Sequence, residues 1–305
     1  MQFAGSHILS VQQFERVDVE RIFAVADRMS PYARRLRVTR VLDGAILGSM
    51  FFEPSTRTRV SFGSAFNLLG GEVRETTGIE NSAIAKGESL YDTARVLSGY
   101  SDVIVMRHPV AGSVAEFAAA SRVPVINGGD GSNEHPSQAL LDLYTIKSEQ
   151  AERGRGIDQL RIAMVGDLRF GRTVHSLSKL LCLFERVQVT LVSPAELRMP
   201  GEIIEEMRLA GIEVIESDAL EASISHVDIV YSTRIQEERF NSPAEADLYR
   251  GRYRLNQSIY THHCEPNTVI MHPLPRDSRD NARELDDDLN DNPNLAIFRQ
   301  TDNGM

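Results

Sequence analysis

Residues 51–59 read F-F-E-P-S-T-R-T-R. An apolar run ends there, Pro54 breaks it, and Ser55 stands where a helix N-cap belongs. The backbone N–H groups opening such a helix, with the hydroxyls of Ser55, Thr56 and Thr58, make a cradle for an anion. Arg57 falls in the first turn and adds a planar two-pronged grip. Arg59, two residues on, faces away and reads as structural or as an interface residue. The plainer alternative is a well-capped helix with surface arginines. A second group lies at 127–138, N-G-G-D-G-S-N-E-H-P-S-Q. Pro136 suits the first position of a helix, which sets His135 at the electropositive end, where an imidazolium is disfavoured. A neutral imidazole donates one hydrogen bond and polarises a carbonyl oxygen; Gln138, one turn on, offers an amide to an amino group or a carbonyl. A capping histidine in a loop is the plainer alternative.

The second half carries three further loops. Residues 166–173, G-D-L-R-F-G-R-T, come close to the phosphate-loop pattern G-x-x-x-x-G-K-[ST], with Arg172 in place of the lysine. Without that lysine, or an aspartate to hold magnesium, the loop suits a carboxylate or phosphate better than a nucleotide. Residues 232–236, S-T-R-I-Q, place Arg234 and Gln236 on one side if the chain stays extended. That pair could hold a second carboxylate, or it could be a solvated strand end. Residues 272–276, H-P-L-P-R, form a stiff turn that aims backbone carbonyls at an N–H donor. The neighbouring His262, His263 and Cys264 fit no standard zinc spacing, Asp286 to Asp288 read as a solvated acidic face, and His175 as a packing or capping residue.

Elements that could position these loops alternate along the chain. Strand-like runs are expected at 45–52, 102–106, 123–127, 161–165, 187–192, 227–231 and 269–272. Helical periods are expected at 19–34, 57–69, 89–100, 113–120, 136–150, 171–183 and 202–210. The polar, Gly-rich stretch 151–158 (A-E-R-G-R-G-I-D) is the best boundary. The fold class expected is therefore α/β, with two parallel-sheet domains of similar size, 1–150 and 151–305. Ligands in such folds sit at the carboxyl ends of strands. The 305 residues carry a net charge of −10, so the basic face that nucleic acid demands is missing. An acidic chain that collects cations in a few loops builds pockets for small anions. No apolar run approaches the ~20 residues of a membrane span. The N-terminus lacks the pattern of a signal peptide, and two cysteines make no disulfide framework, so the expected location is the cytoplasm.

Taken in order, the motifs resemble the transcarbamoylases, over nearly the whole chain. The resemblance rests on F-F-E-P-S-T-R-T-R, S-x-x-x-K at Ser82 to Lys86, M-R-H-P at Met106 to Pro109, and H-P-S-Q at His135 to Gln138. It rests also on G-D-L-R-F-G-R-T-V-H-S at Gly166 to Ser176 and on H-P-L-P-R at His272. Pro273 stands where the ornithine-using branch carries a cysteine, so the resemblance is to the branch whose acceptor is L-aspartate. It implies carbamoyl transfer from carbamoyl phosphate to L-aspartate, the committed step of pyrimidine synthesis, in a cleft between the two domains. Ser55, Thr56, Arg57 and Thr58 would bind the phosphate. Arg107 would bridge phosphate and carbonyl oxygen, with Thr58 and His135 donating to that oxygen. Gln138 and the carbonyls of Pro273 and Leu274 would hold the carbamoyl amino group. Arg172 would take the α-carboxylate, and Arg234 with Gln236 the side-chain carboxylate. Ser82 and Lys86 would reach in from a neighbouring subunit, Lys86 onto aspartate, making a homotrimer with shared sites. Regulatory or dihydroorotase-like chains are possible further partners. Glu53 would pair with Arg172 and Arg239 on domain closure. No metal or organic cofactor is implied. The family's final helix, which would pack on the first domain, does not follow Met305 in this sequence.

Arg172 and Arg234 argue against an ornithine acceptor. A silent relative serving as a scaffold would have lost Arg57, His135 or Arg234, and all three are present. A phosphate-loop nucleotidase would show nucleotide binding that depends on magnesium.

Overall fold

The computed structural model describes residues 1–78, 86–240 and 242–305. Two compact units emerge, Met1–Leu140 with Gly304–Met305, and Leu141–Asn303. In the first, β1 (Ile46–Phe51), β2 (Glu72–Thr77), β3 (Val103–His108) and β4 (Val125–Asp130) form a parallel sheet in the order β2-β1-β3-β4. Helices α1 (Arg16–Ala33), α2 (Thr56–Leu68), α3 (Leu90–Leu97) and α4 (Ser113–Ala120) belong to this unit, and the division falls inside α5 (Pro136–Ala151). The second sheet contains β5 (Arg161–Val165), β6 (Gln188–Val192), β7 (Glu213–Ser217), β8 (Ile229–Ser232) and β9 (Val269–Met271). It too is parallel, in the order β7-β6-β5-β8-β9. Its helices are α6 (Arg172–Leu181), α7 (Gly201–Leu209), α8 (Leu220–Ser223), α9 (Pro243–Asp247), α10 (Gln257–His263) and α11 (Ile297–Asp302).

Strand order decides where ligands can enter. Where consecutive crossovers leave a parallel sheet in opposite directions, the loops part and open a crevice at the carboxyl ends. That reversal falls between β1 and β3 in the first sheet, and between β5 and β8 in the second. The four loops at these two places carry F-F-E-P-S-T-R-T-R, M-R-H-P, G-D-L-R-F-G-R-T and S-T-R-I-Q.

Buried β-branched and aliphatic residues line the central strands, as parallel sheets covered on both faces require. Leu47, Phe51 and Val105 pack with Phe62 and Phe66 on one side of the first sheet, and Met50, Ile104, Met106, Phe117 and Val125 on the other. The sequence pattern located all the central strands but not β2 (E-V-R-E-T-T) or β7 (E-V-I-E-S). Both are edge strands with mostly exposed residues. Charge on an edge strand prevents further pairing, and it also erases the apolar signature that reveals a strand. The opposite edge of the first sheet is covered by the start of the chain. Ile8 donates to Val125 O at 2.8 Å and accepts from the Asn127 N–H at 2.8 Å.

No helix among the described residues is long and apolar enough to cross a membrane. Phe117 on α4 is fully buried. Phe117→Ala should therefore cost about 3–5 kcal/mol of stability, read as a lowered midpoint of chemical denaturation.

Candidate active site

In the first unit, α2 begins at Thr56 with Ser55 as N-cap, in an extended conformation (φ −157°, ψ 109°) and with no side-chain capping bond. The helix start expected there is present, but the serine hydroxyl does not serve as its cap. Arg59 pairs with Glu75 on β2 at 3.1 Å, in keeping with a structural role. On the adjoining strand, Arg107 donates from Nε to Glu53 Oε2 at 2.8 Å, both groups largely covered. Glu53 and Arg107 are thus tied together at the β1–β3 crevice. Beside Arg107, His108 is buried and accepts the Val110 N–H on Nδ1 at 3.1 Å; burial lowers its pKa.

His135 is buried just ahead of α5. Its Nδ1 accepts the Gln138 backbone N–H at 3.3 Å, with Ser137 Oγ also at 3.3 Å. A backbone N–H can only donate, so the neutral ring carries its proton on Nε2. That nitrogen lies 3.5 Å from Thr58 Oγ1. The expected meeting of Thr58 and His135 therefore occurs, with a donor aimed outward from the ring. The loop is anchored by two buried carboxylates. Glu134 accepts from Ser10 Oγ and from the Val11 N–H, both at 2.8 Å. Asp130 accepts from the Gly112 N–H at 2.8 Å and from the Glu134 N–H at 3.2 Å. Lys86 is exposed; Ser82 lies outside the described residues.

In the second unit, Gly166 has φ +118°, and a Cβ there would stand 2.3 Å from Thr233 O. Only glycine fits, because the loops leaving β5 and β8 touch at their start. Asp167, fully buried, bolts them together, accepting the Phe170 N–H and the Gln236 N–H at 3.0 Å each. Burial raises its carboxyl pKa, and these backbone donors oppose the rise. Arg172 opens α6, its N–H donating to Phe170 O at 3.0 Å.

Arg234 is gripped by Glu238, Nη1 to Oε2 at 3.0 Å and Nη2 to Oε1 at 2.5 Å. Burial opposes the arginine's charge, but Glu238 outweighs it and the pKa is raised. The Gln236 oxygen accepts from Arg234 Nη2 at 3.4 Å, so the two side chains converge as expected, although no strand continues through them. Just beyond, Glu237 accepts from Arg250 Nε at 2.7 Å and Arg279 Nη2 at 2.5 Å, and Arg239 closes the same short 3-10 turn.

Pro273 and Leu274 lie in a turn organised by His272. Its Nδ1 accepts the Leu274 N–H at 2.8 Å and its Nε2 donates to Glu284 Oε1 at 2.8 Å. Leu274 is held at φ +57°, a region that costs a non-glycine residue about 1–3 kcal/mol unless its surroundings enforce it. The buried Glu284 provides that enforcement, since it also accepts the Asp277 N–H at 3.2 Å.

Asp286 corrects an expectation. It is buried and receives Arg254 Nε at 2.7 and 2.8 Å, so the stretch 286–288 is not simply a solvated face. Burial removes that carboxylate from water, and the arginine replaces the water. His175 donates from Nε2 to Leu168 O at 2.8 Å while buried, a packing and capping role. Sequence reasoning missed Asp167, Glu238 and Glu284. Glu238 stands four residues after Arg234, a legible spacing, and Asp167 sits within the quoted loop. Nothing local marks Glu284.

Residues 6–148 match the family model described as aspartate/ornithine carbamoyltransferase, carbamoyl-P binding domain, and residues 158–305 match its Asp/Orn binding domain. The chain belongs to the aspartate/ornithine carbamoyltransferase family. Within it, the chain is 77% identical to the aspartate carbamoyltransferase catalytic subunit of Saccharophagus degradans, over 100% of this chain and 90% of the relative. It is 74% identical, with the same coverage, to that of Cellvibrio japonicus. Among solved structures, it is similar to the Trypanosoma cruzi aspartate transcarbamoylase in complex with carbamoyl phosphate and aspartate. The TM-score is 0.89 at 37% identity, covering 98% of this chain and 93% of that one. The catalytic subunit from M. jannaschii matches with a TM-score of 0.87 at 44% identity, covering 98% and 94%.

The Glu237 cluster sets a pH dependence. Arg250 and Arg279 hold the Glu237 pKa down, from 4.5 to about 2. Its contribution to stability is complete above the unfolded value and drains away as pH falls toward the folded one. In acid titrations the second unit should lose stability across that window, and Glu237→Gln should flatten the loss there.

Proposed function

We propose that this chain transfers the carbamoyl group of carbamoyl phosphate to the amine of L-aspartate, giving N-carbamoyl-L-aspartate and phosphate. The observation that carries the reading is the placement of Arg172 and Arg234 on the loops that leave adjacent strands β5 and β8. Two guanidinium groups match an acceptor with two carboxylates and repel one ending in an ammonium. The names of the Saccharophagus and Cellvibrio relatives support it, as does the Trypanosoma enzyme solved with both substrates.

We assign carbamoyl phosphate to the first domain, 1–150, and L-aspartate to the second, 151–305. Ser55, Thr56, Arg57 and Thr58 hold the phosphate at the start of α2, where the first turn's N–H groups and the helix dipole favour an anion. Arg107, Thr58 and His135 donate to the carbonyl oxygen. Gln138 and the carbonyls of Pro273 and Leu274 receive the carbamoyl amino group. Arg172 binds the α-carboxylate, and Arg234 with Gln236 the side-chain carboxylate. The aspartate amine attacks the carbonyl carbon, the C–O bond to phosphate breaks, and the departing phosphate takes the amine proton. His135 acts as a donor from Nε2 rather than as the base. Positioning supplies much of the remaining rate, since two anions must be held together against their repulsion.

Ser82 and Lys86 serve a neighbouring subunit in a homotrimer with shared sites, open to regulatory or dihydroorotase-like chains. The exposed Leu36, Val38 and Val41 of the first unit suit an interface. Glu53 and Arg239 act in domain closure. We place the enzyme in the cytoplasm, as its free Cys182 and Cys264, each pushed up to about 12 by burial, are unreactive thiols.

Offered carbamoyl phosphate with L-aspartate and L-ornithine side by side, the protein should form carbamoyl aspartate alone; citrulline would overturn the assignment. His135→Ala should lower kcat about 10²–10³-fold, the worth of one oxyanion donor, with activity still measurable. Complete loss with substrate binding intact would make His135 the base.

A further inference from the structure

One buried carboxylate in the second unit is hydrogen-bonded into the supports of two loops assigned to the substrates. Asp142 on α5 is fully buried. Its Oδ2 accepts from the Tyr231 hydroxyl at 2.7 Å, and its Oδ1 from the Gln300 side-chain amide at 2.7 Å. The Gln300 oxygen accepts the His272 backbone N–H at 2.9 Å. Tyr231, Gln300 and His272 are each no more than 1% exposed.

Two members adjoin these loops. Tyr231 lies on β8 three residues before Arg234, and His272, reached through Gln300, immediately precedes Pro273 and Leu274. The charge on Asp142 dictates the direction of every bond in the network. A carboxylate only accepts, so Tyr231 must donate to it and Gln300 must turn its NH₂ toward it. The Gln300 oxygen is then fixed toward the His272 N–H. No flipped arrangement satisfies the same groups, and an unmatched polar group at this depth is costly.

Resting on the assignments above, we infer that Asp142, Tyr231 and Gln300 are positioning residues: they hold the Arg234 loop, assigned to aspartate, and the Leu274 turn, assigned to the carbamoyl amino group, in one mutual register. They touch no substrate in this account and act through the backbone of the loops that do.

An amide in place of the Asp142 carboxylate keeps one acceptor and turns an NH₂ toward either Tyr231 or Gln300. Asp142→Asn should therefore raise the KM for aspartate about tenfold, the scale of one lost hydrogen bond to a charged group, while the KM for carbamoyl phosphate, whose phosphate is assigned to the first unit, stays within about twofold. Combining Asp142→Asn with Gln300→Glu exchanges donor and acceptor at unchanged net charge. The introduced amide then donates to the introduced carboxylate, which still accepts the His272 N–H, and the aspartate KM should return most of the way. Should Asp142→Asn not fold, Tyr231→Phe, which removes only the hydroxyl, should give the same split between the two KM values. An unchanged aspartate KM in the folded variants, a parallel rise of both KM values, or a folded double variant that recovers nothing would overturn the inference. A wild-type protein that makes no carbamoyl aspartate would instead remove the acceptor assignment, and the inference with it.

Discussion

A carboxylate taken out of water has to be answered by donors that cannot move away, and this chain uses that demand repeatedly to set its loops. Asp130 and Glu134 in the first unit, and Asp142, Asp167 and Glu284 in the second, are all buried within 6% exposure. Each accepts hydrogen bonds from groups distant in sequence or from loop backbone. Such groups are expensive if half satisfied and highly directive if fully satisfied. They occur beside the loops we assign to the substrates, where the parallel sheets themselves stop supplying backbone partners.

The two half-sites solve different electrostatic problems. At the start of α2 the positive potential comes largely from oriented backbone dipoles and hydroxyls, supplemented by arginine. That arrangement suits a phosphate that must arrive and later depart. In the second unit the cations are long side chains, and a long side chain has to be restrained before it can specify anything. Glu238 restrains Arg234 with a two-pronged pair, while Asp167 fixes the backbone of Gln236. The pair leaves Arg234 partly exposed, so its restraint is won without withdrawing the guanidinium from solvent.

Much of this was legible in the residues. The alternation of apolar runs revealed both parallel sheets, because buried central strands are apolar along their length. The hydroxyl-rich turn at Ser55 to Thr58 and the arginines at 172 and 234 carry, by type and spacing alone, the anion chemistry we propose for them. What remained hidden was whatever depends on a partner far away in sequence. Charged β2 and β7 look like loops until a neighbouring strand is beside them. Asp286 looks like surface until Arg254 arrives. Glu284 gains meaning only from His272, and Ser10 only from Glu134 across 124 residues. Tertiary structure assigns those roles, and no local pattern encodes them.

The strand-like clasp of Ile8 against β4 imposes an order of events on a growing chain. Its acceptor and donor, Val125 and Asn127, are made more than a hundred residues later. At ribosomal speeds of about 5–20 residues per second, the first residues wait roughly 6–25 s before their place exists. The segment around Ile8 is thus among the last pieces of its own unit to settle, and Ser10 and Val11 lock the His135 loop only then.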